Sequence, residues 1–191
     1  MKSKYIHSPT IAKSSQRGST FVEILTSLLI LSFGSLGAAG LQVTSKQATF
    51  DAQQMLTATF LTSGIIERMR NNPAALATYA GSNVGGSTIS AEPIPNCSQA
   101  TPCNVTELAL HDRWVWEQSI DGAAIKSGTA NAGGLVKPTG CVINDNGRVQ
   151  VVVSWHGLDA VSDAGAVTGG VSTCGTSGSH RRQVVVNTFV N

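Results

Sequence analysis

The most constraining feature of this sequence is a long apolar segment that follows a basic leader and has a carboxylate at its start. The segment from Ile24 to Leu41 contains 18 residues without a charge. At about 1.5 Å per residue, a helix of this length spans roughly the hydrocarbon core of a bilayer. The sequence therefore predicts a membrane-spanning helix over about residues 21–41.

The carboxylate of Glu23 lies at the beginning of this span. An ionised carboxylate inside a membrane helix costs on the order of 2.5 to 3.5 kcal/mol, which favours a functional role for it. The alternative is that Glu23 lies among the lipid headgroups and costs little. Glu23 is therefore either a functional charge within the membrane or a charge at the membrane interface.

The leader carries the excess positive charge of the chain. It contains Lys2, Lys4, Lys13 and Arg17 and no acidic residue, and its removal leaves nine basic against eleven acidic residues. Positive charge before an apolar span favours a cytoplasmic N-terminus, so we expect everything beyond Leu41 to be exported. No basic patch predicts direct binding of nucleic acid.

All four cysteines, Cys97, Cys103, Cys141 and Cys174, lie on the exported side, where oxidising conditions favour disulfides. Four cysteines allow three pairings, and the sequence does not choose between them. We favour Cys97 with Cys103 as a short local loop and Cys141 with Cys174 as a tie from a strand to a late loop. The CxxC spacing typical of zinc sites is missing, and we predict neither a metal nor a cofactor.

The helix is predicted to continue past the membrane span, from about Thr20 to Asn71. Arg68 and Arg70 in the last turn and Pro73 just beyond it mark its end. Residues at three- and four-residue steps predict an apolar face in its second half: Ala48, Ala52, Met55, Thr59, Ser63, Ile66 and Met69. A helix near 75 Å long, at about 1.5 Å per residue, exceeds what a small domain can bury, so half of it must pack in lipid or on similar helices.

Three glycines, Gly34, Gly37 and Gly40, interrupt the apolar half of this helix. Each costs roughly 1 kcal/mol relative to alanine in a helix interior. One interpretation is close helix packing in the membrane, where small residues are enriched. The other is a flexible point that stretches or unwinds when the subunit leaves the membrane.

The remaining residues, 73–191, predict a small globular domain of mixed α and β structure. Ala74 to Pro102 has the composition of a surface loop, and Asn104 begins a capping box that predicts a helix from Val105 to about Ser119. The turn Asn144 to Gly147 predicts a hairpin, followed by a strand with Val149, Val151, Val153 and Trp155 on one face. With a last strand from Gln183 to Val190, three strands and a long helix give an α+β fold.

Glycine at 18, a carboxylate five positions later and a long apolar helix together resemble the prepilin signature of type IV pilins and type II secretion pseudopilins. That resemblance implies that residues 1–18 are a leader, that prepilin peptidase cuts between Gly18 and Ser19, and that the Ser19 amine is methylated. It also implies that Glu23 neutralises an N-terminal amine during assembly. Ser19 departs from the phenylalanine usual in the family, and the leader is longer than most. Cleavage by signal peptidase near Gly37-Ala38-Ala39 is the competing route.

Four stretches further resemble PilV-type minor pilins: residues 33–42, 67–71, Asp112 with Trp116, and 151–155. This resemblance implies a pilin fold, with a helix over 19–72 and a periplasmic domain over 73–191. The protein would be anchored in the inner membrane and then incorporated at or near the pilus tip, where it helps to start assembly. Its implied partners are the major pilin, other minor pilins, prepilin peptidase, the inner-membrane assembly platform and the bilayer. Twitching motility, adhesion and DNA uptake would belong to the assembled filament.

Other functions remain open from the sequence. A minor pseudopilin of a type II secretion system has the same N-terminal signature. An anchored periplasmic binding protein or enzyme could use His111 with Asp112, or His156 with Asp159, as an acid and base pair. No nucleophile motif accompanies either pair, so we do not predict an enzyme. The exposed loop from Gly157 to Ser179 could also bind a receptor.

Overall fold

A computed structural model gives the architecture and describes residues 18, 20–86, 90–97 and 102–191. The chain forms two compact units, Met1–Ser45 and Lys46–Asn191. Residues 1–17 of the predicted leader and Ser19 of the predicted cleavage site lie outside the described residues.

One helix, α1, runs from Phe21 to Asn71 and confirms the helix expected from the sequence. Its termini are stabilised by charge, because Glu23 lies in the first turn and Arg68 and Arg70 lie in the last. Pro73 then begins a short 3₁₀ turn, Pro73–Ala75, since proline cannot continue the ladder of helical hydrogen bonds.

The second unit contains the remaining helices and all of the described strands. In chain order they are α2 Leu76–Tyr79, β1 Gly81–Val84, α3 Val105–Ile120, β2 Lys126–Ser127, β3 Ala130–Asn131, β4 Thr139–Asp145, β5 Arg148–His156 and β6 Arg181–Phe189. Strands β1, β4, β5 and β6 form an antiparallel sheet in that order, and β2 pairs with β3 as a separate small hairpin. This confirms an α+β fold in which a long N-terminal helix packs on a small antiparallel sheet.

The prediction of three strands was incomplete. Strand β1 lies within the segment expected to be a surface loop, and it pairs with β4 through Gly81 opposite Val142 and Val84 opposite Gly140. Its four residues show no apolar alternation, so its strand conformation depends on the neighbouring strand and not on local propensity.

The predicted hairpin between β4 and β5 is confirmed, with Asp145 paired to Arg148 across a two-residue turn. Asn146 and Gly147 both have positive φ, at 50° and 87°, as a type I′ turn requires. Because this turn sets the register, it also decides which side chains of β5 face the helix.

The sheet buries both of its faces. On one face Val149, Val151, Val153 and Trp155 of β5 pack with Ile65 and Met69 of α1 and with other core residues. On the opposite face a smaller cluster contains Cys141, Val152 and Cys174, and Val171 and Val185 pack against it. The predicted inward face of β5 is therefore correct, but its other face is covered as well, by residues from the loop that follows the strand.

The predicted apolar face of α1 was largely wrong. Ala48, Ala52, Met55, Thr59 and Ser63 are exposed, and the buried residues are Gln54, Ala58, Thr62, Ile65, Ile66 and Met69. Gln54 can be buried because its Oε1 accepts a hydrogen bond from the Val136 N–H at 3.1 Å. Thr62 is accommodated because its hydroxyl donates to the Ala58 carbonyl one turn earlier at 2.8 Å. Because Gln54 and Thr62 both have hydrogen-bond partners, they can be buried. The buried face of α1 consequently lies about one residue away from the predicted one.

Helix α3 begins with the predicted capping box. The Asn104 side chain accepts hydrogen bonds from the N–H groups of Thr106 and Glu107, and the Glu107 carboxylate accepts from the Asn104 N–H. The helix then contributes Trp116 to the core, where its indole N–H donates to the Leu61 carbonyl of α1 at 3.0 Å. Gly140 of β4 faces this ring closely, since a Cβ there would lie 2.5 Å from Trp116 Cη2.

Candidate functional site

The N-terminal residues that the sequence singled out lie at the start of α1. Gly18 is exposed, and Glu23 is exposed in the first turn of the helix. The Glu23 N–H donates to the Thr20 carbonyl at 3.0 Å, so the helical hydrogen bonds begin with this turn. None of these contacts bears on cleavage after Gly18, methylation of Ser19 or the assembly role of Glu23, which stay predictions.

Within the described residues, α1 is the helix that is long and apolar enough to cross a membrane. Apolar side chains on all sides of its first half are exposed, among them Phe21, Ile30, Phe33, Leu36 and Leu41. A helix that is apolar all round is stable only in a membrane or among other apolar helices. This half of α1 therefore requires an apolar environment that the described part of the chain does not provide.

The three glycines of this segment lie inside the uninterrupted helix. A Cβ at Gly34, Gly37 or Gly40 would meet no other atom within 4 Å, apart from the helix's own nearby backbone. Each glycine thus leaves a shallow notch at the helix surface that a neighbouring helix could enter. Their proposed role in helix flexibility stays a prediction.

A second exposed apolar stripe lies on α1 within the globular unit. Met55, Leu56 and Phe60 are 59%, 59% and 76% exposed, although the opposite side of the helix is in the core. The segment 131–137 borders the groove that Leu56 and Phe60 line. These side chains form a candidate surface for contact with another molecule.

Helix α1 is joined to α3 by a polar cluster of Arg68, Asp112 and Tyr79. Arg68 Nη1 lies 2.5 Å from Asp112 Oδ1, and the Tyr79 hydroxyl donates to Asp112 Oδ2 at 2.6 Å. Burial raises the pKa of the Tyr79 hydroxyl above its usual value, and the hydrogen bond to Asp112 acts in the same direction. Asp112 is 6% exposed, so these two partners replace the hydrogen bonds that its carboxylate would make with water.

This cluster bears on the hypothesis that His111 and Asp112 form an acid and base pair. The Asp112 carboxylate is occupied by Arg68 and Tyr79, whereas the His111 ring lies beside Trp114 with 5.8 Å between ring centres. The two side chains thus have different partners. Arg68 and Asp112 belong to two of the stretches that resemble minor pilins, and the tertiary structure brings them together, which sequence spacing did not reveal.

The two disulfides join Cys97 to Cys103 and Cys141 to Cys174. These are the pairings that we favoured from the sequence, and they leave no free cysteine. Cys141 and Cys174 are both buried, so the second disulfide holds the loop after β5 on the outer face of the sheet.

The same loop is also held by a partly buried ion pair between Asp163 and Arg181. Arg181 Nε lies 2.5 Å from Asp163 Oδ1, and the Arg181 guanidinium also donates to the carbonyls of Ser172 and Cys174. The hydrogen bond from Arg181 lowers the pKa of Asp163 to about 2. The sequence analysis missed this pair. Its sequence signal is limited to the two arginines at the start of β6.

The hypothesis pairing His156 with Asp159 is not supported by the contacts of either residue. The His156 ring lies against the His180 ring, with 4.8 Å between their centres, and the Asp159 carbonyl accepts a hydrogen bond from Arg182 at 2.8 Å. Burial lowers the pKa of His156, and the positive charge of Lys137 acts in the same direction. His156 therefore belongs to a cationic group of side chains and not to a base oriented by a carboxylate.

Residues 40–114 match a family model described as Tt1218-like, type IV pilin Tt1218. The match covers about two fifths of the chain, from the end of the predicted membrane span to α3. No curated protein and no solved structure matches the chain. The matched segment includes both Arg68 and Asp112, which form the ion pair between α1 and α3. Over these residues the chain is similar to type IV pilins, and its fold and apolar N-terminal helix are compatible with a membrane-anchored, pilin-like subunit.

Proposed function

We propose that this chain is a minor pilin of a type IV pilus, cleaved after Gly18, anchored in the inner membrane by α1 and incorporated at or near the pilus tip. The observation that carries this proposal is the exposed apolar surface of α1. Beyond the length needed to cross a bilayer, exposed large apolar side chains occur again on the same helix, at Met55, Leu56 and Phe60.

This second exposed apolar group favours assembly over simple anchoring. Burying a large apolar side chain contributes roughly 1.5 to 3 kcal/mol, so leaving Phe60 and its neighbours in water forgoes several kcal/mol. An anchored monomer needs only about 20 apolar residues and gains nothing from more. Contact with similar helices, first in lipid and then in a filament, accounts for both parts of the surface.

The processing step is tested with a matched pair of variants. Gly18→Leu should accumulate as the uncleaved precursor in the inner membrane, whereas Ala39→Phe should be processed normally. The intact mass of each purified protein, which also detects a methyl group on Ser19, is the measurement. Processing of Gly18→Leu together with a block in Ala39→Phe would replace this proposal with signal peptidase cleavage and a released domain.

The assembly step is tested at Glu23. The variant Glu23→Ala should be cleaved at the normal rate but be depleted from sheared pili, because the N-terminal amine loses its partner four residues away on the helix. Glu67→Ala provides the control, since Glu67 is an exposed glutamate at the other end of α1 whose described contact is with Arg70. Wild-type recovery of Glu23→Ala in pili would refute the role of this carboxylate.

The cellular system is tested by deletion of the gene. A minor pilin should be required for normal numbers of surface pili, and the protein should be detected in sheared filaments. Intact pili combined with a loss of protein secretion would instead identify a type II secretion pseudopilin.

A further inference from the structure

A cavity of about 340 Å³ lies beside the end of β5 on the exported unit. Its lining includes Lys137, the paired rings of His156 and His180, and the hydroxyl-bearing residues Thr176, Ser177 and Ser179. The loop carrying the hydroxyls is fixed in place, because the neighbouring Gly178 N–H donates to Asp163 at 2.9 Å and Asp163 is bound to Arg181. The cavity is thus a preformed feature of the fold.

The charges around this cavity are unbalanced. Lys137 is exposed and, among the described residues, forms no ion pair. Arg182 lies over Gly157 and donates to the neutral carbonyls of Asp159 and Ser179. Of the nearby acids, Asp163 is neutralised by Arg181, which leaves the Asp159 carboxylate as one negative charge against the two positive charges of Lys137 and Arg182. Net positive charge therefore remains at the cavity.

The hydrogen-bonding groups suit the same kind of ligand. His180 Nδ1 lies 3.1 Å from the Gly157 carbonyl and donates to it, which orients the ring. The ammonium of Lys137 and the hydroxyls of Thr176, Ser177 and Ser179 all donate hydrogen bonds. A tetrahedral oxyanion, with several acceptor oxygens and a negative charge, complements such a set. The positive charge of Lys137 disfavours a metal cation at the same place.

We propose that this cavity binds a phosphate or sulfate group carried by a small molecule. Lys137 supplies positive charge at the cavity itself, Arg182 adds positive charge nearby, and the hydroxyls of the loop supply hydrogen-bond donors. The cavity volume of about 340 Å³ suits a small phosphorylated or sulfated ligand.

The test follows the imidazole C–H resonances of the full-length chain in detergent micelles by NMR during titration with inorganic phosphate. The His156 and His180 signals should shift saturably, and the signal of His111, which is buried on α3, should not.

Two variants make the test specific. Lys137→Asn should weaken phosphate binding by about two- to fivefold. Asparagine tolerates the positive φ of 45° found at residue 137, so the backbone should be kept. Lys126→Asn is the control, because Lys126 is an exposed lysine outside the cavity lining.

Three results would overturn the proposal. The first is an equal response to sodium chloride at the same ionic strength, which would mean screening only. The second is unchanged affinity in Lys137→Asn. The third is a saturable response to a single-stranded oligonucleotide but none to phosphate, which would assign the surface to a nucleic acid polymer instead.

Discussion

Removal of the disulfide between Cys141 and Cys174 should destabilise the globular unit more than removal of the disulfide between Cys97 and Cys103. The first closes a sequence separation of 33 residues and the second a separation of 6. The loss of loop-closure entropy in the unfolded chain then gives about 3.7 kcal/mol for the longer loop and about 2.3 kcal/mol for the shorter one. Burial adds to the difference, because Cys141 and Cys174 are 1% and 0% exposed, and truncating them leaves unfilled space.

The assay compares two double variants, Cys141→Ala with Cys174→Ala and Cys97→Ala with Cys103→Ala, in the full-length protein. Thermal unfolding in detergent, followed by tryptophan fluorescence, should show a Tm lowered by roughly 10 to 15 °C for the first and by about 6 to 9 °C for the second. In cells, Cys141→Ser should also reduce the amount of protein. An equal or larger loss in the short-loop variant, or unchanged abundance of Cys141→Ser, would refute the reasoning.

Three further predictions concern the packing of the globular unit, each measured by unfolding of the full-length protein in detergent. The pKa of Asp163 is lowered to about 2, so its ion pair stabilises the fold above about pH 4 and is lost as the pH falls towards 2. The stability advantage of wild type over Asp163→Asn should therefore shrink over that range, and a constant difference would contradict it. Gly140→Ala should cost about 1 to 3 kcal/mol because its Cβ meets the Trp116 ring, whereas Gly64→Ala, with open space around it, should be neutral or stabilising by up to about 1 kcal/mol. Arg68→Met should lower the free energy of unfolding by about 1 to 3 kcal/mol, because the buried Asp112 carboxylate then has one partner fewer. This value allows for solvent screening, since the arginine side chain is 42% exposed. A loss of stability below about 0.5 kcal/mol would argue against the ion pair.

The elements predicted best from the sequence are those whose signals are local. The capping box at Asn104 and the Asn146-Gly147 turn use side-chain oxygens and positive φ within a few residues, and both occur as expected. The alternation of β5 predicted its inward face, since successive side chains of a strand point to opposite sides. The end of α1 followed from two arginines and a proline.

The features that were predicted wrongly depend on contacts between residues far apart in the sequence. Strand β1 exists because β4 lies next to it, and the buried face of α1 includes Gln54 because the Val136 N–H from a distant loop needs an acceptor. No periodicity in the sequence reports a partner 82 positions away. Where polar groups satisfy one another across the fold, hydropathy alone assigns them to the wrong side of a helix.

The sequence by itself determined the long helix, its apolar first half, the α+β class and the hairpin at the centre of the sheet, because these depend on composition and spacing within one segment. Only the tertiary structure decided which distant charges meet. It joined Arg68 to Asp112, joined Asp163 to Arg181 and left Lys137 beside the paired rings of His156 and His180. The physical reason is that a charge interacts through space over a few ångströms, whatever its distance along the chain.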